Sequence, residues 1–232
     1  MGSLYIVSTP IGNMEDLTLR ALRILKECDI IAAEDTRHTR QLLSHFEIHG
    51  KQLVSCHAFN EHGKVAELVE QVKNGSSVAL VSDAGTPSVA DPGFLLVRTA
   101  VEQGVEPVVI PGVSALTFAV TASALPVDKF AFRAFAPVKS GQKDKFLREM
   151  LNSGMTNFFF ESPYRISKTL EAIAQIAPES RMALIREATK FHEEIIRGTA
   201  QELAALKREW KGEFVIGLFN GKAASLPEDE TR

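Results

Sequence analysis

Short apolar runs alternate along this chain with stretches whose apolar residues return every three or four positions, a rhythm that predicts strands and helices in turn. LYIVS at 4–8 reads as a buried strand because a short apolar run with β-branched members stops at the breakers of TPIGN. A helix is expected from about Leu17, where Leu22, Ile24 and Leu25 stand among Arg20, Arg23 and Lys26. DIIAAE at 29–34 is a second strand, 36–46 a helix and 53–55 a short strand. Val65, Leu68, Val69 and Val72 then mark one helix face, which Asn74-Gly75 ends. SVALV is a strand, SDAGTPSVADPG a loop, 94–103 a helix and PVVI another strand, before a helix that starts near Val113. Such alternation implies a mainly parallel sheet covered on both faces.

The pattern changes after ALPVDKF (124–130), where a proline and two charges interrupt the apolar runs, and the expected division is a domain at 1–123 and another at 124–232. The second half offers strands at FAFRAF, TNFFFE, RMALIRE, FHEEIIR and EFVIGLF, with helices near 141–152, 164–176 and 199–208. Two of those strands are separated only by Ala188 to Lys190, which predicts a hairpin and a mixed sheet. The fold class is therefore α/β in two domains, with a mainly parallel N-terminal sheet and a mixed C-terminal sheet.

Composition narrows the function classes. The chain has 232 residues, 45% of them hydrophobic, and a formal net charge of −3, so any nucleic-acid contact rests on a local patch rather than a cationic surface. No run of about 18 apolar residues and no leader-like start is present, so a soluble, cytoplasmic protein is expected. Cys28 and Cys56 are far apart with no CxxC, which predicts neither disulfide nor zinc. His45 and His49 stand four apart, but HFEIH is not HExxH, no third ligand is evident, and no metal is expected. The polar tail ends in PEDETR.

Three loops, 8–13, 82–93 and 111–116, follow strands at their carboxyl ends, where open α/β sheets bind ligands. Their Gly and Pro residues permit tight turns and close approach to main-chain groups. Neither GxGxxG nor GxxxxGK[ST] occurs, which argues against a dinucleotide fold or a P-loop NTPase. AEDTRHTRQLL puts Glu34 and Asp35 at a strand end and Arg37 and Arg40 on the following helix. Asp35 or Thr36 caps that helix, or the arginines face a substrate phosphate while a carboxylate steers a hydroxyl. Lys139, Lys143, Lys145 and Arg148 form either a solvated helix face or a phosphate-binding patch. Tyr164 and Arg165, at another strand end, suit base stacking and phosphate contact.

Taken in order, VSTPIGNMEDLTLRALRILKECDIIAAEDTRHTRQLL, VSDAGTPSVADPG, PGVSA, FESPYRI, REATKFHEEIIRG and KGEFV resemble the 16S ribosomal RNA ribose 2′-O-methyltransferases of the tetrapyrrole methylase superfamily, over about residues 4–219. The resemblance implies a two-domain tetrapyrrole methylase-like fold, a homodimer, and S-adenosylmethionine folded in a cleft between the domains. Carried onto matching positions, it implies cofactor contacts at Pro10, Ala84, Gly85, Thr86, Val89, Ser114, Ala115, Glu161 and Ala188, with Asp83 bracing the second loop. It also implies a small-subunit 16S rRNA partner and a cytidine in the decoding region as target. Two departures stand out: Phe135-Ala136-Pro137 where relatives commonly read FLP, and the lack of a further small C-terminal region.

Methyl transfer to a ribose hydroxyl calls for alignment and for a base. Asp35, Glu34 and Glu187 are the candidate catalytic bases, in that order, with Arg186 and Lys190 available to orient phosphate or sugar. Two alternatives remain open at this point: a methyltransferase for a tetrapyrrole or other small acceptor, and a noncatalytic RNA-binding module.

Overall fold

The computed structural model describes residues 2–58 and 60–221, and the PEDETR tail lies outside them. The chain divides into two compact units, Met1–Ala115 and Leu116–Arg232. The contact division falls at the start of the helix Ala115–Ala122, whereas the sequence-based boundary at 123/124 falls just after it.

In the first unit the strands β1 (Leu4–Val7), β2 (Ile30–Ala33), β3 (Gln52–Ser55), β4 (Val78–Val81) and β5 (Val108–Ile110) form a wholly parallel sheet in the order β3-β2-β4-β1-β5. The helices α1 (Leu19–Glu27), α2 (Thr36–His45), α3 (Glu61–Lys73) and α4 (Phe94–Glu102) divide between its faces. Val7, Ile31, Ala33, Ala79 and Val81 pack with Leu25 and Leu42 of α1 and α2. Their strand neighbours Leu4, Ile6, Ile30, Ala32, Val78 and Leu80 pack with Leu68 and Val72 of α3 and Leu96 of α4. The period-two alternation of each strand thus feeds two cores, which is why the strands read as continuous apolar runs. β1 and β4 are adjacent, yet β1 leads to α1 on one face and β4 to α4 on the other. Such a reversal is where open α/β sheets bind ligands, outside the carboxyl ends of the strands.

The helix α5 (Ala115–Ala122) precedes the second sheet. Its strands are β6 (Phe130–Phe135), β7 (Thr156–Glu161), β8 (Arg181–Arg186), β9 (Glu194–Thr199) and β10 (Phe214–Phe219), in the order β6-β7-β10-β8-β9. β6 runs parallel to β7, and every other pairing is antiparallel. The helices α6 (Ser140–Leu151), α7 (Ile166–Ile176) and α8 (Ala200–Ala204) bury Leu147, Leu170, Ile173 and Leu203 against Phe159, Leu184 and Ile216 of the sheet. Two elements differ from the sequence reading. α8 is a single short turn of helix, fixed at its start by a Thr199/Glu202 capping box. β9 begins at Glu194 rather than 191, so Phe191, His192 and Glu193 lie in the preceding turn.

Candidate active site

The three loops expected at the carboxyl ends of β1, β4 and β5 meet in the first unit. Thr9 and Gly85 exchange main-chain hydrogen bonds of 2.8 and 3.1 Å, an isolated antiparallel bridge between the loops after β1 and β4. The Ser8 and Thr86 hydroxyls share a further bond of 2.8 Å, and the Thr9 hydroxyl donates to the Ser82 carbonyl at 3.2 Å. Gly85 sits at φ +80, the left-handed region that favours glycine. Gly112 brings in the third loop: a Cβ there would stand 2.8 Å from the Ser8 Cβ. Pro10 is buried at this junction, Ala84 and Val89 are exposed, and Thr86 and Ser114 are half-buried. Ser8, Thr9 and Gly112 were not singled out in the sequence, since hydroxyl and glycine positions in adjoining loops become partners only through strand order.

A group of carboxylates lies beside this junction at the ends of β2 and β4. The Asp35 N–H donates to Asp83 Oδ1 at 2.9 Å, and the Asp83 N–H approaches Glu34 Oε2 at 3.5 Å, so Asp83 ties the second loop to the end of β2. Burial, and then the Asp83 charge, push the Glu34 carboxyl above the ordinary range. Asp91, which the sequence reading did not select, is pushed up to about 6 by burial, then by Glu34 and Asp83, against a lowering Ser82 hydrogen bond. Farther along the first loop, Asp16 Oδ2 is buried and makes no hydrogen bond.

Asp35 is placed differently. It caps α2, accepting from the Arg37 N–H at 2.8 Å, and pairs with the Arg37 guanidinium at 2.6–3.2 Å. Those bonds, side chain first, hold its carboxyl well below the usual range, which makes it a weak proton acceptor. Of the two possible caps it is Asp35 that caps α2, while Arg37 and Arg40 are exposed on that helix. Glu187, the third candidate base, is not free either. It accepts from the Glu213 N–H at 2.8 Å and from Lys190 at 3.1 Å. Burial alone would raise its carboxyl, but the Glu213 N–H, Lys190 and Arg186 outweigh that and leave it below the usual range.

In the second unit the structure gives several candidate residues internal partners. The Glu161 side chain is fully buried, with Oε1 accepting from Arg165 at 2.6 Å and the Ser162 N–H at 2.8 Å. Its Oε2 accepts from the Thr169 hydroxyl at 2.6 Å and Lys143 at 3.2 Å. Both carboxylate oxygens are thereby engaged inside the unit, so Glu161 can offer a cofactor only its main chain. Lys143, 12% exposed at its side chain, is not part of a surface RNA patch, because the nearby buried carboxylate holds it. Arg165 donates also to the Ala136 carbonyl. Arg186 is bonded to the Lys211 carbonyl and paired with Glu194, and Lys190 bridges Glu187 and Glu213. Lys139 and Tyr164 remain exposed, and Ala188 is half-buried after β8.

Both cysteines are buried, which pushes each thiol up to about 11. Among the described residues no group of three His, Cys, Asp or Glu side chains is placed to hold a metal, and His45 and His49 are exposed. No helix among them is long and apolar enough to cross a membrane.

The family model described as "Tetrapyrrole (Corrin/Porphyrin) Methylases" matches residues 3–204. The chain is 44% identical over 231 residues to a Halalkalibacterium halodurans protein named "Ribosomal RNA small subunit methyltransferase I", covering 99% of this chain and 79% of that one. It is 43% identical over 219 residues to a Hydrogenobaculum sp. protein of the same name, covering 93% and 94%. Among solved structures, a diphthine synthase superposes with a TM-score of 0.72 over 94% of this chain and 90% of the other, at 16% identity, which bears on fold alone.

Proposed function

Because the chain belongs to the tetrapyrrole (corrin/porphyrin) methylases, we propose that it transfers a methyl group from S-adenosylmethionine to a ribose 2′-hydroxyl of small-subunit ribosomal RNA, a cytidine of the decoding region being the target. The geometric observation that supports a cofactor site most directly is the junction of the loops after β1 and β4, where the helices change face. The RNA acceptor rests on the two relatives above, whose names specify it and whose likeness spans nearly the whole chain.

The residues present fit S-adenosylmethionine. Gly85, in the left-handed region, and Gly112, with no Cβ to meet Ser8, let the loops after β1, β4 and β5 come together without bulky side chains between them. The carboxylates Glu34, Asp83 and Asp91 beside it suit a ligand that carries sulfonium and ammonium charge. Pro10, Ala84, Gly85, Thr86, Val89, Ser114 and Ala115 of the first unit would hold it. When bound, S-adenosylmethionine supplies a methyl group already activated on sulfur. What this chain must add is orientation of the acceptor hydroxyl and a destination for its proton.

Glu34 is the residue suited to accept that proton. Its raised pKa gives it more basicity than Asp35, which is held by Arg37, or Glu187, which is held by the Glu213 N–H and Lys190. Arg40 and Lys139 are exposed for phosphate contact, as is Arg37 on the far side of its pair with Asp35, whereas Lys143, Arg165, Arg186 and Lys190 serve less exposed ion pairs. Homodimerisation and a cytoplasmic location belong to the same proposal. The exposure of Val108 and Val109 on the edge strand β5 supports a covering partner, and sedimentation measures it.

The test offers labelled S-adenosylmethionine together with small ribosomal subunits from a strain lacking this gene, and separately with a free tetrapyrrole. Label in RNA alone is expected. Label in the macrocycle alone would establish the small-molecule alternative. Cofactor-independent RNA binding with no transfer would establish the noncatalytic module.

A further inference from the structure

Two aromatic side chains of the second unit stand almost wholly in solvent: Tyr164 at 94% exposure and Phe191 at 97%. Both belong to turns at one end of the sheet. β7 and β8 each run antiparallel to β10 and therefore point the same way, and their last residues, Glu161 and Arg186, share Phe214 as register partner. Two inter-strand spacings set the bases of these turns about 10 Å apart.

Neither turn is loose. Glu161 binds the Ser162 N–H and Arg165, and the Arg165 and Ile166 N–H groups both donate to the Ser162 carbonyl at 3.0 Å, which fixes the turn that carries Tyr164. Ahead of Phe191, Glu187 and Thr189 occupy the left-handed region at φ 51 and 66, a conformation that non-glycine residues hold only when their surroundings impose it. Here the surroundings are the Glu187–Glu213 bond, the 2.7 Å bond from the Thr189 N–H to Glu193, and Gly212, where a Cβ would lie 2.5 Å from the Glu187 side chain. His192 stands edge-on to the Phe191 ring at 5.0 Å. The cations around this turn, Arg186 and Lys190, are already paired with Glu194, Glu187 and Glu213, so the turn presents a flat aromatic face rather than free positive charge.

We infer that Phe191, paired with Tyr164, is a stacking platform for unpaired bases of the RNA substrate, at the carboxyl end of the second sheet. An exposed ring carried on a fixed turn, beside cations that are already paired, suits a nucleobase, because stacking uses the π face and tolerates any base. This rests on the reading that the acceptor is RNA. Phe191 is thereby assigned a role in substrate binding, separate from the cofactor loops of the first unit.

The test compares Phe191→Ala, Phe191→Leu, Phe191→Tyr and Tyr164→Ala with the wild-type chain, measuring KM and kcat on small ribosomal subunits, cofactor affinity by calorimetry, and mass by sedimentation. Side chains this exposed can be truncated without unfolding the unit, and circular dichroism checks that they are. Each Ala variant is expected to raise KM by about 10- to 100-fold with kcat within about twofold of wild type. Cofactor affinity and mass should be unchanged, with Tyr restoring Phe191 function and Leu failing to do so. Wild-type KM in both Ala variants would overturn the inference, as would equal rescue by Leu, which signals plain apolar contact, or a mass change, which signals contact between copies. If the wild-type chain itself transfers no methyl group to RNA, the acceptor assignment falls and this inference with it. Transfer by wild type with unaltered variants removes this inference alone.

Discussion

Removing the Glu161 carboxylate should destabilise the second unit by an amount the structure lets us estimate. Its two oxygens accept four hydrogen bonds, from Arg165, Ser162, Thr169 and Lys143, at a side chain with no exposure. Glu161→Gln leaves Lys143 and Arg165 facing a neutral amide, and loss of one partner from a buried ion pair costs about 3–5 kcal/mol. Arg165 is 23% exposed and also reaches the Ala136 carbonyl, which places the expected cost near the lower end, about 3 kcal/mol. Lys143→Met is gentler, because Glu161 keeps Arg165, Ser162 and Thr169 and the apolar stem still packs, so about 1–2 kcal/mol is expected. Trp210, the single tryptophan, is buried in this unit's core, so its fluorescence during urea unfolding reports on the unit. With a slope of about 2–3 kcal/mol/M, Glu161→Gln should move the midpoint down by about 1 M at unchanged slope, and Lys143→Met by about half that. A shift under about 0.3 M for Glu161→Gln would refute the internal role of this carboxylate. If, in addition, the folded variant lost cofactor affinity, Glu161 would be a ligand instead.

Other outcomes follow from the first unit. Gly112→Ala, whose Cβ meets the Ser8 Cβ at 2.8 Å, should push the loops after β1 and β5 apart and weaken cofactor binding by about tenfold or more, measured by calorimetry. Glu34→Gln should lower turnover by about 100-fold or more, while Asp35→Asn, which keeps the helix cap, should change it by less than about fivefold. Equal losses in single-turnover assays would remove the distinction. The pH dependence of stability carries a definite sign. Asp91 binds its proton more tightly folded, at about 6, than unfolded, near 3.8. Its contribution is therefore fully present below the unfolded value and declines as pH rises through the folded one. Asp91→Asn should match wild type near pH 4 and exceed it above pH 6, by about 1 kcal/mol once solvent screening is allowed for. An identical difference at both pH values in urea titrations would count against a raised Asp91.

The strands of both sheets were legible because their apolar runs are short and bounded by Gly, Pro, Asn or charge, as at Val78–Val81 and Phe214–Phe219. The loops at the carboxyl ends of the first sheet were legible from their composition, but their stitching was not, since the Thr9–Gly85 bridge depends on β1 lying beside β4. Phe191 was read as strand because FHEEIIR is locally strand-like. The left-handed residues Glu187 and Thr189 that turn the chain away have no composition signal. Lys143 looked like one of a row of surface lysines, and only the fold sets it against Glu161, eighteen positions on in sequence. Either Asp35 or Thr36 could cap α2 by local pattern, and the structure gives the cap to Asp35, whose carboxylate also pairs with Arg37. Burial and the Asp83 charge raise the Glu34 carboxyl, and burial and then the charges of Glu34 and Asp83 raise Asp91, which no single loop reveals.

The most direct test of the account is the identity of the methylated nucleoside. After reaction with labelled S-adenosylmethionine, small-subunit RNA from a strain lacking this gene is digested to nucleosides and analysed by mass spectrometry. The account predicts labelled 2′-O-methylcytidine. Label confined to a base-methylated nucleoside, or no label in RNA from a chain that binds the cofactor, would contradict it.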